Sequence, residues 1–228
     1  MRTPALELAS RGLNKRQLLT ALGASGLAFP TLAAEPPQAV GIVHYPATAN
    51  GRCRTGNARI FDECGSQLEI FLAALQRANQ SKKTLLVSYG AEWCIWCHVF
   101  DAYVEGQYSL FEYRFDDKKV TLREYGDTAM AKQADVLNRY VAENFVIANI
   151  EGQYSPDGEK VLARTGALMH FDNELPFIFT VTPQRRWAAT FDYRRAETRR
   201  EGQDWFRGYD RESLLAQLKL MKAAATRG

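Results

Sequence analysis

The sequence predicts an α/β domain in which a mixed β-sheet carries helices on both faces. Several segments have apolar residues at helical spacing, and short runs rich in β-branched and aromatic residues lie between them. The two kinds of segment alternate until the last third of the chain, where two strands follow one another. Alternation favours parallel strands joined by helices, whereas two strands joined by a short turn favour an antiparallel hairpin.

The first predicted elements lead into a cysteine pair. A helix is expected over 67–79, where Ser66 and Glu69 have the spacing of a capping box. A buried strand is expected over 84–89, followed by a helix over 93–105. The chain order therefore starts as helix, strand, helix.

The second half of the chain begins with an insertion. Segment 106–127 is aromatic and charged without a clear period, and a weak hairpin is expected around Asp116 and Asp117. The remaining predicted elements, in chain order, are a helix over 128–143, a strand over 145–150, a short helix over 159–165, a strand over 175–181 that opens on proline, a strand over 187–193 and a final helix capped by Asp210.

The first 34 residues have the layout of an export signal. Basic residues ending in Lys15 and Arg16 precede a modestly apolar segment, and small residues at Ala33 and Ala34 precede a polar linker. The layout is similar to a twin-arginine signal with lysine in place of the first arginine, so the twin-arginine and general secretory routes both stay open. The mature protein is expected in the periplasm, with cleavage after Ala33 or Ala34.

The sequence thus divides into a signal over 1–34, an N-terminal extension over 35–65 and a folded domain over 66–228. The formal net charge is +3, and the first 34 residues hold four basic and one acidic side chain. The remainder is nearly neutral, which gives no electrostatic support for a nucleic-acid partner. No apolar run reaches the roughly 18–20 residues of a membrane-spanning helix, so no stable membrane insertion is expected after signal cleavage. The oligomeric state stays open.

Cys94 and Cys97 come directly after the strand over 84–89 and open the next helix. Unpaired N–H groups and the positive end of the helix dipole favour a thiolate there. A thiolate is the attacking species in disulfide exchange, and a second thiol one turn away can resolve the mixed disulfide. The pair therefore predicts a redox site that needs no dissociable cofactor and no metal.

The other two cysteines, Cys53 and Cys64, flank a loop rich in glycine, asparagine and arginine. Pairing them closes a loop of about a dozen residues, a constraint worth roughly 2–3 kcal/mol on the chain-entropy model. Four cysteines permit three connectivities. The favoured one has a structural Cys53–Cys64 bridge and a reversible Cys94–Cys97 bridge. Two alternatives stay open: the outer pair accepts electrons from the inner pair, or some thiols are free and buried.

Two motifs together resemble the thioredoxin superfamily over residues 66–224. One is the strand, loop and cysteine pair of residues 89–97, YGAEWCIWC, and the other is Leu175-Pro176 before the predicted hairpin. The resemblance implies a thioredoxin-like three-layer fold. It also implies a thiol–disulfide oxidoreductase, reductase-like rather than oxidase-like, that exchanges disulfides with protein thiols and is served by a redox partner.

The resemblance also assigns roles to residues. Cys94 is implied to be the exposed nucleophile and Cys97 the buried resolving thiol. A cis bond at Pro176 would bring the Leu175 backbone alongside the pair to bind an extended peptide. The substrate site would include two tryptophans beside the cysteines, Trp93 and Trp96.

Three features depart from the thioredoxin pattern. The residues between the cysteines are Ile95 and Trp96 in place of Gly-Pro, and Ser88 stands where thioredoxins keep a buried acid. The segment between Val99 and Phe145 is longer than the usual connection.

His98 opens other interpretations of the cysteine pair. Cys-Ile-Trp-Cys-His is also the pattern of c-type haem attachment, and Cys94, Cys97 and His98 supply three of the four ligands that a zinc site needs. A non-catalytic thioredoxin-fold module that binds a partner is a further alternative. His98 itself is expected to be a partly exposed helix residue, and an imidazolium near Cys94 would lower the thiol pKa. His44 and His170 are expected to be isolated structural residues.

Overall fold

The structure is a computed structural model that describes residues 41–54, 58–108, 110–115, 118–123, 128–155, 157–198 and 208–227. The predicted export signal over 1–34 lies outside the described residues, as do Asp116 and Asp117. Within the described ranges, no helix is long and apolar enough to cross a membrane.

The described elements follow the predicted order closely. The helices are α1 (Gln67–Ser81), α2 (Ile95–Val104), α3 (Thr128–Asn144), α4 (Gly158–Thr165) and α5 (Arg211–Arg227). The strands are β1 (Val43–Tyr45), β2 (Thr84–Gly90), β3 (Leu110–Phe115), β4 (Lys118–Arg123), β5 (Phe145–Glu151), β6 (Phe177–Val181), β7 (Trp187–Thr190), β8 (Glu197–Thr198) and β9 (Gly208–Tyr209). Short 3₁₀ turns occur at Ala167–His170 and Tyr193–Arg195.

Five strands form the central sheet in the order β1-β5-β2-β6-β7. Strands β1, β5 and β2 are parallel, whereas β6 is antiparallel to β2 and β7 is antiparallel to β6. All seven residues of β2 and all seven of β5 are buried, as expected for parallel strands covered on both faces.

Helices cover both faces of this sheet. Because successive side chains of a strand point to opposite faces, Leu86 packs with apolar residues of α2, α3 and α5. Its neighbours Leu85 and Val87 pack with those of α1 and α4. The predicted class, a thioredoxin-like three-layer fold with a mixed central sheet, is confirmed.

The structure corrects some element boundaries. Strand β6 begins after Pro176, whose nitrogen has no hydrogen to donate to the sheet. Strand β7 ends at Thr190, and the chain then turns at Asp192, whose carboxylate accepts the N–H of Arg194. The hairpin expected in the insertion is present as β3 and β4.

Two further features lie at the N-terminal side of the domain. The Ser66 side chain accepts the N–H of Glu69 at 3.3 Å, as expected for the first residue of a capping box. Strand β1, which precedes residue 66, joins the sheet by pairing with β5. Residues before the predicted domain boundary therefore belong to the central sheet.

Candidate redox site

Cys94 and Cys97 lie where β2 gives way to α2, and they are joined by a disulfide with Cα atoms 5.3 Å apart. The Cys94 N–H donates to the Ala91 carbonyl at 3.0 Å, which closes the connecting turn. Cys94 is the N-cap of α2, and its Sγ accepts the N–H of Cys97 at 3.2 Å. A sulfur in this position receives a backbone donor and the positive end of the helix dipole.

Both cysteines are nearly inaccessible: Cys94 is 3% exposed and Cys97 is 1% exposed. The expectation of an exposed Cys94 is therefore wrong for this structure. The physical reason is a small apolar cluster in which Phe61 and Ala91 bury the pair, with Ile60, Trp96 and Leu175 packed against it. Ile60 and Phe61 come from the N-terminal extension, which the thioredoxin pattern does not contain.

The residues expected at the substrate site are only partly brought together. Trp96 and Leu175 are half-buried and pack against the cluster that contains the cysteines, whereas Trp93 is 43% exposed. The Leu175–Pro176 peptide bond is cis. Pro176 lines a cavity of about 180 Å³, and Glu174 and five other charged or ionisable side chains are among its other lining residues: His170, Asp172, Asp192, Tyr193 and Arg194.

Gly90 permits the close approach of Phe61 to the Cys94–Cys97 pair. A Cβ atom on Gly90 would lie 2.6 Å from Cys97 Sγ and 2.9 Å from Phe61 Cζ. Both distances are shorter than real Cβ contacts, so the sulfur and the ring converge on the glycine from the same side. Phe61 has no exposed surface, and its ring packs against Gly90 at the end of β2.

Glu92 links the backbone of Ile60 and Phe61 to the cysteine motif through hydrogen bonds. Its Oε2 accepts the N–H groups of Ile60 and Phe61, each at 3.1 Å. Its Oε1 lies 3.4 Å from His98 Nε2 and 3.7 Å from Arg59 Nε, while the carboxylate is only 7% exposed. A buried carboxylate needs such donors and cations to offset its lost hydration.

His98 is buried at 8% exposure, which contradicts the expectation of a partly exposed helix residue. Its Nε2 lies 2.7 Å from the Glu92 carbonyl oxygen, and since a carbonyl only accepts, Nε2 carries the proton. Burial lowers the His98 pKa, with a smaller opposing contribution from Glu92. A neutral imidazole therefore occupies this position at neutral pH, so an imidazolium that assists Cys94 is not favoured. Its inward-facing Nε2 does not favour haem ligation either.

A second acidic group lies one helical turn beyond Cys97. Burial raises the pKa of Asp101 to about 6; His44 opposes this shift, while Glu105 and Glu92 add to it. His44 Nδ1 is 3.9 Å from Asp101 Oδ1, and its Nε2 is 2.6 Å from Glu105 Oε1. His44 is therefore not the isolated residue that was expected.

Sequence reasoning missed these partners for different reasons. Ser88 is buried at 3% exposure, at the position where the thioredoxin pattern has an acid. The i, i+4 spacing of Asp101 from Cys97 was visible in the sequence and indicates a shared helix face. Phe61 and His44 carry no local signal, because they precede Cys94 by more than 30 residues and only the fold brings them near it.

The outer cysteines are also paired, with Cα atoms of Cys53 and Cys64 6.0 Å apart. This is the favoured one of the three connectivities. Cys53 is buried at 5% exposure, whereas Cys64 is exposed. In the described ranges, no group of three or more His, Cys, Asp or Glu side chains is arranged to hold a metal ion.

No protein-family model matches the sequence, and no curated protein matches it. Among solved structures, the chain is similar to a disulphide isomerase from Xylella fastidiosa Temecula1. The two are 16% identical, the match covers 57% of this chain and 76% of that one, and the TM-score is 0.36. A similarity this distant does not bear on function, so the functional argument rests on the geometry of the site.

Proposed function

We propose that the protein is a thiol–disulfide oxidoreductase whose reactive groups are Cys94 and Cys97. One observation carries the proposal: the disulfide lies at the start of α2, and Cys94 Sγ accepts the N–H of Cys97 at 3.2 Å. After reduction, the same donor and the helix dipole stabilise a Cys94 thiolate. The reduced pair is thereby prepared for nucleophilic attack.

The proposed reaction is a pair of thiol–disulfide exchanges. The Cys94 thiolate attacks one sulfur of a substrate disulfide, and the other substrate sulfur leaves as a thiolate. The Cys97 thiolate then attacks Cys94 Sγ, which releases the second substrate thiol and forms the Cys94–Cys97 disulfide. Two electrons pass from the protein to the substrate, and a redox partner returns them by the same steps in reverse.

The proposed substrates are protein thiols and disulfides in the periplasm, with reduction as the favoured direction. Disulfides persist in oxidising compartments, and both cysteine pairs are bonded in the structure. The half-buried Leu175 and Trp96 pack against the cluster that contains the cysteines, which supports binding of an extended peptide at the Leu175 backbone. Pro176 and Trp93 complete the proposed substrate site. Equilibration with glutathione measures the potential that sets the direction.

Thiol reactivity tests the proposal directly. In the reduced protein, iodoacetamide alkylation at a series of pH values is expected to give a Cys94 pKa below the ordinary value of about 8.5. In a Cys97→Ser variant, oxidised glutathione is expected to form a stable mixed disulfide with Cys94, since no resolving thiol remains. The matched control is Cys94→Ser, which should trap less glutathione at Cys97, because only Cys94 occupies the N-cap position that stabilises a thiolate.

An unreactive Cys94 would contradict the proposed function. An ordinary Cys94 pKa, together with no exchange with glutathione or a dithiol reductant, contradicts an oxidoreductase.

Localisation has its own test: cell fractionation is expected to find the mature protein in the periplasm. Replacing Lys15 and Arg16 by glutamine should block export by the twin-arginine route, with less effect on the general secretory route.

A second candidate is a non-catalytic module of the same fold that binds a partner. The low exposure of Cys94, 3%, favours this alternative, because a disulfide that nothing can reach performs only a structural role. The alkylation and trapping experiments separate the two. A structural disulfide resists glutathione and dithiols under native conditions, whereas a redox-active one exchanges with them.

A further inference from the structure

The redox pair is closed off by a part of the chain that is itself held by a second disulfide. We propose that Cys53–Cys64 is a redox-sensitive latch: while it is intact, residues 58–64 hold Phe61 over Cys94–Cys97, and its reduction by a dithiol opens the pair to protein substrates. This inference rests on the proposed oxidoreductase function.

The first argument is access. An incoming thiolate must approach a disulfide along the axis of its sulfur–sulfur bond, yet Cys94 and Cys97 are 3% and 1% exposed. Phe61 has no exposed surface and packs in the same cluster as both cysteines. A protein substrate can therefore reach the pair only if a covering segment moves.

The second argument concerns what holds the cover in place. Phe61 belongs to the loop that the Cys53–Cys64 bond closes, with a sequence separation of 11. Glu92 Oε2 accepts the N–H groups of Ile60 and Phe61 in the middle of this loop. The latch thus combines one covalent bond with hydrogen bonds, and the covalent bond is the component that redox chemistry can remove.

The third argument is that the loop keeps an anchor after reduction. The buried Gln67 donates to the carbonyls of Asp62 at 2.6 Å and Gly65 at 2.9 Å, and its Oε1 accepts the N–H of Glu151 at 2.8 Å. This end of the loop stays attached to α1 and β5. Reduction therefore leaves residues 58–61 held only by packing and by the hydrogen bonds to Glu92, and these residues can then move about a fixed point near Asp62 without unfolding the domain.

The chemistry of the latch is an ordinary exchange at its accessible end. Cys64 is exposed whereas Cys53 is 5% exposed, so a thiolate of an external dithiol attacks Cys64 Sγ and Cys53 leaves as a thiolate. The second thiol of the reductant then attacks the first reductant sulfur, which is bonded to Cys64 Sγ in the mixed disulfide, and Cys64 leaves as a thiolate. The reductant becomes a disulfide, and two electrons enter the latch.

The test compares access to Cys94–Cys97 with the latch present and removed. A Cys53→Ser/Cys64→Ser double variant lacks the bond, and Phe61→Ala lacks the covering ring but keeps the bond. Reduction of oxidised Cys94–Cys97 is followed by thiol trapping and mass spectrometry, with a dithiol protein and with dithiothreitol as reductants. Gly41→Ala serves as the control, because a Cβ there meets nothing within 4 Å.

The double variant is expected to react with the dithiol protein roughly tenfold faster or more, because the constraint from a disulfide on such a loop corresponds to roughly a hundredfold in an equilibrium. Phe61→Ala is also expected to react faster, because the ring that covers the cysteine pair is absent. The gain should be smaller with dithiothreitol. In the wild type, Cys53–Cys64 should be reduced before Cys94–Cys97. Wild-type rates in both variants, or reduction of Cys94–Cys97 while Cys53–Cys64 is intact, would overturn the latch.

The outcomes also separate the latch from the oxidoreductase proposal. If the wild type and the variants all exchange rapidly at equal rates, the latch fails and the oxidoreductase stands. If none of them exchanges even with dithiothreitol, both fail. Should the double variant not fold, Phe61→Ala and the order of reduction in the wild type still decide the question.

Discussion

The carboxylate of Glu92 accepts the backbone N–H of Phe61 at 3.1 Å, and this bond connects the cysteine motif to the segment over 58–61 that packs against it. Glu92 stands two residues before Cys94, whereas Phe61 stands 31 residues before Glu92 in the N-terminal extension. The same carboxylate approaches His98 Nε2 at 3.4 Å. The Glu92 side chain therefore holds the backbone of Ile60 and Phe61 and also interacts with His98 on the helix that begins at the cysteines.

Removal of the Glu92 carboxylate should loosen the segment over 58–61. In Glu92→Ala, the N–H groups of Ile60 and Phe61 lose their acceptor, which should cost about 2 kcal/mol of unfolding free energy. Glu92→Gln keeps one oxygen and should cost less. Urea unfolding measures the loss, and amide exchange should accelerate at Ile60 and Phe61. Unchanged exchange at these two amides would show that the carboxylate does not hold the segment.

A methyl group on Gly90 should be tolerated badly. In Gly90→Ala, the new Cβ would overlap Cys97 Sγ at 2.6 Å and Phe61 Cζ at 2.9 Å, and overpacking of this kind costs about 1–3 kcal/mol. The ring should yield, since the sulfur is held by its disulfide. Gly41→Ala is the matched control and should change the unfolding free energy by less than about 0.5 kcal/mol. Equal stability of the two variants would contradict the contact.

The fold could be predicted from the sequence because its signals are local. The buried strand over 84–89 and the helix capped near Ser66 follow from short-range patterns, and both agree with the structure within two residues. The hairpin of β3 and β4 was also expected. Strand β1 was harder, because three residues that pair in parallel with a strand about 100 residues away leave little local pattern.

Only part of the candidate site could be predicted from the sequence. The cysteine pair and its place at the start of a helix follow from the motif. The burial of Cys94 does not, because it depends on Phe61, and Phe61 reaches the pair only through the chain path that Glu92 and Gln67 fix. The burial of His98 likewise depends on a contact that the sequence does not show, since the side chain turns inward to the Glu92 carbonyl.

Asp101 should make the protein less stable as the pH rises. Its pKa is raised from 3.8 to about 6, chiefly by burial, so between these values the folded state binds a proton that the unfolded state has lost. The unfolding free energy then decreases as the pH increases from about 4 to about 6. Asp101→Asn should remove this decrease and be more stable than the wild type at pH 7 by about 1–3 kcal/mol.

Urea unfolding of the wild type and Asp101→Asn at several pH values between 4 and 7 checks this. The difference between the two proteins should grow with pH and be smallest at pH 4, where the wild-type carboxyl is largely protonated. A constant difference across the range would indicate a loss of packing and contradict the raised pKa.

His98 should titrate below its ordinary value, and its neighbours should move its pKa in opposite directions. Burial is the largest cause of the lowered pKa; Glu92 raises it and Arg59 lowers it. Glu92→Gln should therefore lower the His98 pKa further, and Arg59→Gln should raise it. The sequence has three histidines, so a proton NMR titration resolves His98 from His44 and His170.

The lowered pKa of His98 also makes the unfolding free energy depend on pH. Because the folded-state pKa lies below the unfolded value of 6.5, the unfolded state binds a proton first as the pH falls, and the stability gained from neutral His98 is lost below pH 6.5. His98→Gln keeps a donor for the Glu92 carbonyl but cannot titrate, so its unfolding free energy should fall less steeply under acid. A His98 pKa that rises in Glu92→Gln, or an equally steep acid dependence in His98→Gln, would contradict this account of the pair.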